Sequence, residues 1–322
     1  MKGSKFQRQY DRSRDYLGQI KQLGPQRVLN SLYAVFPIAF EKPEIARKVS
    51  TLFANHDRTI DLYGLNLTRL HRRSQASKIA LCCMPKSGST FIQTSLQALP
   101  KANFQLAYLH SPYMNADFVG AHSREHEIDE LALTITEIRG LNYVSQMHTK
   151  WSEYTEACFA AYGIKPIITY RNVFDCIVSL DDMLRQGKAE GFPMIRLPDN
   201  YRSIPDAERL AFLCLYVGPW YLDYIVSWSR AGLPLLRLDY DEDIKNFDQG
   251  TAEKIRDFLA IDGLSIEDFL TAFTLTDERR KDIRLNKGIN GRGTAIPRAA
   301  RDQLRALAAI YQPTVDFGKY LD

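Results

Sequence analysis

Four short apolar runs punctuate the chain after its first quarter. They are Lys78 to Met84 (KIALCCM), Asn142 to Met147, Lys165 to Tyr170 (KPIITY) and Pro234 to Leu238 (PLLRL). Each has the length of a buried strand and stops at a polar or turn-forming segment. The first ends in Pro-Lys-Ser-Gly-Ser-Thr and continues as an amphipathic helix from Thr90 to Leu99. The second leads to His148. The third ends at Arg171 and is followed by a helix over Asn172 to Leu184, and the fourth runs into the acidic DYDED. Strands alternating with helices predict an α/β fold: a central parallel sheet flanked by helices, with working loops at the strand carboxyl ends. Residues 1–75 read as helical segments with basic and polar faces, an N-terminal extension packed on or near the core. Residues 76–322 read as the main domain. The segment Gly187 to Pro205, bearing proline and glycine, reads as a long loop suited to be a lid.

Composition narrows the class. The 322 residues are 45% hydrophobic and 25% charged, which excludes a disordered or low-complexity chain. Lysine and arginine total 42 against 38 acidic residues, too small an excess to mark a nucleic-acid binder. That excess is not spread evenly. Arg279 to Arg305 holds nine basic and two acidic residues, so the remaining chain is slightly acidic. Five cysteines, odd in number and set in apolar sequence, predict buried free thiols in a reducing compartment. The first twenty residues lack the apolar centre of a signal peptide, so the expected location is cytoplasmic. Leu210 to Trp228 is nearly long enough to span a bilayer. Pro219, Asp223 and the polar flanks PDAER and SRAG predict a buried helix instead.

Three segments carry candidate chemistry. Pro85-Lys86-Ser87-Gly88-Ser89-Thr90 puts small residues, a cation and hydroxyls at a helix N-terminus, where backbone N–H groups and the helix dipole favour an anion. It is not a Walker A loop, because its lysine precedes the glycine. Arg171, at a strand end, is followed eight residues later by Ser179. Two helical turns return that hydroxyl to the same side, a pairing suited to a second phosphate. Arg284-Leu285-Asn286-Lys287-Gly288-Ile289-Asn290-Gly291-Arg292-Gly293 spaces cations with glycines and can wrap an anion.

In this order the three segments resemble the PAPS-dependent sulfotransferases. PKSGST-F resembles the family's PKSGTTW loop for the 5′-phosphosulfate. RN-VFDCIVS resembles its R-N-x-x-D-x-x-x-S segment for the 3′-phosphate, and NKGINGRG resembles its C-terminal R-K-G-x-x-G loop. GPWYLDYIVSW and LLRLDYDEDIKN resemble two further family stretches, so the resemblance spans roughly residues 78–320. It implies a P-loop-like sulfotransferase fold, PAPS as co-substrate with PAP as product, and no metal. Lys86, Ser87, Gly88, Ser89 and Thr90 would hold the 5′-phosphate end, with Phe91 and Tyr221 at the adenine. Arg171, Ser179, Lys287 and Gly288 would surround the 3′-phosphate. His148 would be the base, since an imidazole, ordinarily titrating near pKa ~6.5, can accept a proton close to neutral pH. Lys86 would stabilise the leaving phosphate while Ser179 restrains it. Three positions depart from the family: Phe91 stands for tryptophan, Gln146 for the lysine two residues before the histidine, and Asn286 for an arginine. Arg284 and Arg292 are the available substitutes for the last.

The resemblance implies an acceptor hydroxyl, or an amine, on a small molecule, lipid or saccharide. Two other readings compete: an ATP-dependent kinase on a P-loop-like fold, and an inactive interaction protein on the same scaffold. His122-Ser-Arg-Glu125-His126 also spells H-x-x-E-H, the inverted zincin signature, with no evident third ligand after it. The segment from Tyr108 to His126, with His110, Tyr113 and Phe118, is the expected neighbour of the acceptor.

Overall fold

The computed structural model describes residues 76–109, 140–186, 197–274, 291–311 and 314–322, together with the single positions 128, 133 and 136. Five strands form one parallel sheet: β1 (Lys78–Cys83), β2 (Gln105–Leu106), β3 (Tyr143–Met147), β4 (Lys165–Tyr170) and β5 (Leu236–Asp239). Their order is β2-β3-β1-β4-β5, and every neighbouring pair is parallel. From the central β1 the chain builds outward on one side through β2 and β3, then crosses to β4 and β5. That reversal beside β1 is a topological switch point, where open α/β sheets place their ligand crevice.

Strand alternation divides the core between the two faces. Ala80 and Cys82 of β1 join Met84 in one apolar cluster, whereas Ile79, Leu81 and Cys83 join the other. Helix α1 (Ser89–Gln97) contributes Phe91, Ile92 and Leu96 to the second cluster. After α2 (Glu153–Tyr162), helices α3 (Val173–Arg185) and α4 (Asp206–Ser229) build the first. Helices α5 (Gln249–Leu259) and α6 (Ile266–Ala272) close the α1 side; α7 (Arg298–Ala309) packs on α4. Burying a side chain such as Ile79 or Leu81 completely contributes about 1.5–3 kcal/mol of transfer free energy.

The four sequence-predicted strands are all present, and the sheet adds a two-residue edge strand too short to leave a pattern. The 206–229 segment is one helix that includes Pro219. Among the described residues it is the single helix long and apolar enough to cross a membrane. Here Leu213, Cys214, Val217, Tyr221, Tyr224 and Trp228 are fully buried against the rest of the domain. Of the expected 187–205 loop, the described part contains a 3-10 turn, Tyr201–Ser203, with Tyr201 buried. All five cysteines are free and buried.

Candidate functional site

Parallel register brings three strand ends level. Cys82 of β1 lies opposite Met147 of β3, and Cys83 lies opposite Thr169 of β4. The next residues on these strands therefore emerge side by side: Pro85 and Lys86, His148, and Arg171. Helix α4 braces this edge from below. Tyr224 donates its hydroxyl to the Cys82 carbonyl at 2.8 Å, Tyr221 donates to the Pro85 carbonyl at 3.3 Å, and the Trp228 indole donates to the Thr149 carbonyl at 3.0 Å. Positions 221, 224 and 228 share one helical face, so one helix supports two of the three strand ends and the loop between them.

The Pro85–Thr90 loop is tightly built. The Ser87 hydroxyl is buried and bonds Met84 and Thr169, which staples the loop to the sheet. Lys86 has φ 68°, a left-handed conformation that costs a non-glycine residue about 1–2 kcal/mol. Gly88 has φ 85°, and a Cβ there would meet the Ile244 side chain at 3.0 Å and the Tyr240 ring at 3.2 Å. Only glycine combines that turn with that contact. Helix α1 then starts with no side-chain cap and no acidic residue in its first turn. By contrast, Ser152, Asn172, Asp248 and Ser265 each cap a helix of this domain with a side chain. The uncapped N–H groups and positive dipole end of α1 are what an anion requires.

Arg171 joins this loop to the second segment. It is 6% exposed, its Nη1 donates to the Lys86 carbonyl at 3.0 Å, and its guanidinium lies 4.0 Å above the Tyr240 ring. Tyr240 thus touches both Gly88 and Arg171 from the turn after β5. Ser179 is buried on α3. One turn beyond it, Met183 receives the Lys86 ammonium, Nζ to Sδ 3.6 Å. Lys86 thereby reaches the stretch of α3 that carries Ser179.

His148 follows β3 in a row of alternating burial. Met147 and Thr149 are buried; Gln146, His148 and Lys150 are partly exposed on the opposite side. Gln146, in place of the family lysine, donates its amide to Ser89 Oγ at 3.0 Å. His148 Nδ1 is 2.9 Å from the Cys83 carbonyl. A carbonyl only accepts, so Nδ1 carries the hydrogen and the neutral ring keeps its lone pair on Nε2. Lys150 pairs with Asp223 of α4 at 2.5 Å.

The C-terminal segment reaches the same helix. Both carboxylate oxygens of buried Asp175 accept backbone N–H groups, from Gly293 at 2.7 Å and Gly291 at 3.0 Å. Arg292 donates to Asp182 at 2.6 Å, an ion pair between this segment and α3. Arg284, Asn286, Lys287 and Gly288 lie outside the described residues, as do His110, Tyr113, Phe118, His122, Glu125 and His126. Among the described residues no cluster of His, Cys, Asp and Glu could hold a metal.

The structure therefore gathers Lys86, Gly88, Ser89, Thr90, His148, Arg171 and Ser179 at one sheet edge. Three more of the expected residues are buried. Ser87 faces the sheet. Phe91, 4% exposed, packs edge-on to Phe273 with centroids 5.7 Å apart, and Tyr221 is fully buried beneath the loop. Tyr224, Trp228, Tyr240 and Asp175 support the site without having been singled out in the sequence. The acidic residue within R-N-V-F-D was the one signal that could have pointed to Asp175.

No protein-family model and no curated protein sequence matches this chain. Solved structures do, and the first of them carries the class: the parallel five-stranded sheet with its flanking helices is the sulfotransferase α/β fold. The structure is similar to a mouse sulfotransferase, SULT7A1, complexed with PAP, with a TM-score of 0.53 at 17% identity over 79% of this chain and 91% of that one. A retinol dehydratase in complex with androsterone and inactive cofactor PAP is aligned over 80% of this chain and 87% of that one, at 14% identity and a TM-score of 0.48.

Proposed function

We propose that this protein is a PAPS-dependent sulfotransferase acting on a hydroxyl, less favourably an amine, of a small-molecule, lipid or saccharide acceptor. The observation that carries the reading is the Arg171 contact with the Lys86 carbonyl at 3.0 Å. It joins two anion-suited segments 85 residues apart in sequence, at the strand ends where this fold places its ligand crevice. A nucleotide with phosphates at its 5′ and 3′ positions needs two such segments side by side. The PAP bound to the mouse sulfotransferase is a nucleotide of that kind.

In this reading the amides opening α1, with Lys86 and Thr90, take the 5′-phosphate end, and Arg171 and Ser179 take the 3′-phosphate. By resemblance Lys287 and Gly288 complete the latter. Ser87, Phe91 and Tyr221 are the packing that keeps the loop in shape. PAPS supplies the sulfuryl group. His148, holding its lone pair on Nε2, takes the acceptor proton as the acceptor oxygen attacks sulfur. Lys86 places its charge where the leaving phosphate oxygen gains negative charge, an interaction strongest in the transition state. Gln146 is fixed by Ser89 and offers an uncharged donor where the family has a cation. The reaction uses no metal, and the free, buried cysteines favour a reducing, cytoplasmic setting.

The test is transfer of labelled sulfuryl from PAPS to a panel of phenol, steroid, lipid and saccharide acceptors. Wild type is expected to label at least one, and His148→Ala to lose roughly 100-fold or more in turnover while keeping PAP affinity. Transfer by His148→Ala at the wild-type rate contradicts the base assignment. Absence of any transfer by wild type contradicts the activity.

A further inference from the structure

The resemblance assigns Arg171 and Ser179 to the nucleotide and leaves the aspartate between them without a task. Asp175 is 2% exposed and lies in the first turn of α3. Its own N–H is capped by the Asn172 side chain at 3.1 Å, which locks the turn. Its two oxygens face outward to the backbone of another segment, accepting from Gly291 at 3.0 Å and Gly293 at 2.7 Å. Asp182, two turns further along α3, accepts from Arg292 at 2.6 Å. The single stretch Gly291-Arg292-Gly293 is therefore fastened at two points about 10 Å apart along the helix axis.

Helical geometry fixes what lies between those points. Positions 175 and 182 share one row of α3, and 179 falls between them on the adjoining row, with 183 a turn beyond. Ser179 thus lies beside the 175/182 row, on the same side of it as Met183, which meets Lys86. Gly293 is pressed so close that a Cβ would approach the Phe174 Cβ at 2.4 Å, so the stretch rests directly on the helix backbone. A carboxylate serves this purpose well. It accepts two N–H bonds at once, and its charge is favoured at the positive end of the helix.

We infer that Asp175 is a positioning residue that seats the Gly291–Gly293 stretch against Ser179 and thereby sets selectivity for a nucleotide carrying a 3′-phosphate. The inference rests on the nucleotide reading above. Asp175 makes no contact with the nucleotide itself; it acts through the backbone it holds. Replacing one carboxylate oxygen by an amide turns an acceptor into a donor facing an N–H group, so one of the two bonds becomes a repulsion.

Calorimetric titration of the full chain with PAP and with 5′-AMP, which lacks the 3′-phosphate, tests this. Wild type is expected to prefer PAP strongly. Asp175→Asn is expected to weaken PAP about tenfold or more and to leave 5′-AMP within about twofold, because only the 3′ end is disturbed. A merely structural role would lower thermal stability and weaken both nucleotides together. Gly291→Ala adds strain at φ 75° with open space around the Cβ, leaving the carboxylate intact. It should reproduce the selective loss more weakly, and it serves if Asp175→Asn does not fold. Unchanged PAP affinity in the variants, or equal losses for PAP and 5′-AMP, overturns the inference while the nucleotide reading stands. Failure of wild type to prefer PAP overturns both.

Discussion

Helix α3 has two ends that handle buried arginine differently. At its C-terminal end Arg209 is 2% exposed and bound to Asp181 through Nε at 2.6 Å and Nη2 at 3.2 Å, with Asp206 at 2.8 Å. The Tyr201 hydroxyl donates to the same Asp181 at 2.8 Å. Asp181 pushes the Arg209 pKa up, so the cation is locked in its charged state and cancelled by its partners. At the N-terminal end Arg171 is oriented by a carbonyl and an aromatic face. Those contacts aim the guanidinium across the Pro85–Thr90 loop. The two buried arginines, one just ahead of α3 and one on α4, thus do different work: Arg209 closes a structural joint between α3 and α4, and Arg171 ties the Pro85–Thr90 loop to the turn after β5.

Substitutions separate the two ends. Asp181→Ala leaves the buried Arg209 guanidinium with only the exposed Asp206 as a carboxylate partner and is expected to cost about 3 kcal/mol of stability, read by urea unfolding. Its folded fraction should bind PAP as wild type does. Arg171→Ala reverses the pattern: stability falls by no more than about 2 kcal/mol, and PAP affinity falls roughly 100-fold by titration calorimetry. Equal stability losses for the two variants would erase the distinction. Gly88→Ala is expected to do less, about tenfold in PAP affinity, since it forces an L-residue to φ 85° against Ile244.

The smallest effect concerns the thiols. Burial pushes Cys83 and Cys176 up to about 12 from an ordinary 9.0. At pH 8 they remain protonated and enclosed, so a thiol reagent should label no buried cysteine before unfolding, with or without PAP. The sign for stability follows from the same shift. The folded state disfavours thiolate, so this contribution is complete below about pH 9 and is lost as pH rises toward 12.

Much of this arrangement was legible in the sequence, for identifiable reasons. The strands of the inner sheet are continuous apolar runs because both faces are covered, and the anion loops are marked by glycine, hydroxyl and cation at strand ends. The two-residue β2 and the α4 tyrosines that brace the strand carboxyl ends were not legible. An edge strand that short has no period. A tyrosine on a buried helix looks the same whether it fills a core or props a loop, and the Tyr221 hydroxyl bonds the Pro85 carbonyl of the loop. Arg292 illustrates a different blindness. Its glycine neighbours suggest an anion-binding cation, and only the fold shows that Asp182, more than a hundred residues earlier, already claims it.

The most direct test of the central claim is the thermal shift of wild type and Arg171→Ala in saturating PAP. At one hundred times Kd, a ligand bound only by the folded state adds about 2.7 kcal/mol, enough to raise the melting temperature by several degrees. The account predicts that shift for wild type and almost none for Arg171→Ala at the same concentration. No shift in wild type, or equal shifts in the two proteins, would contradict it.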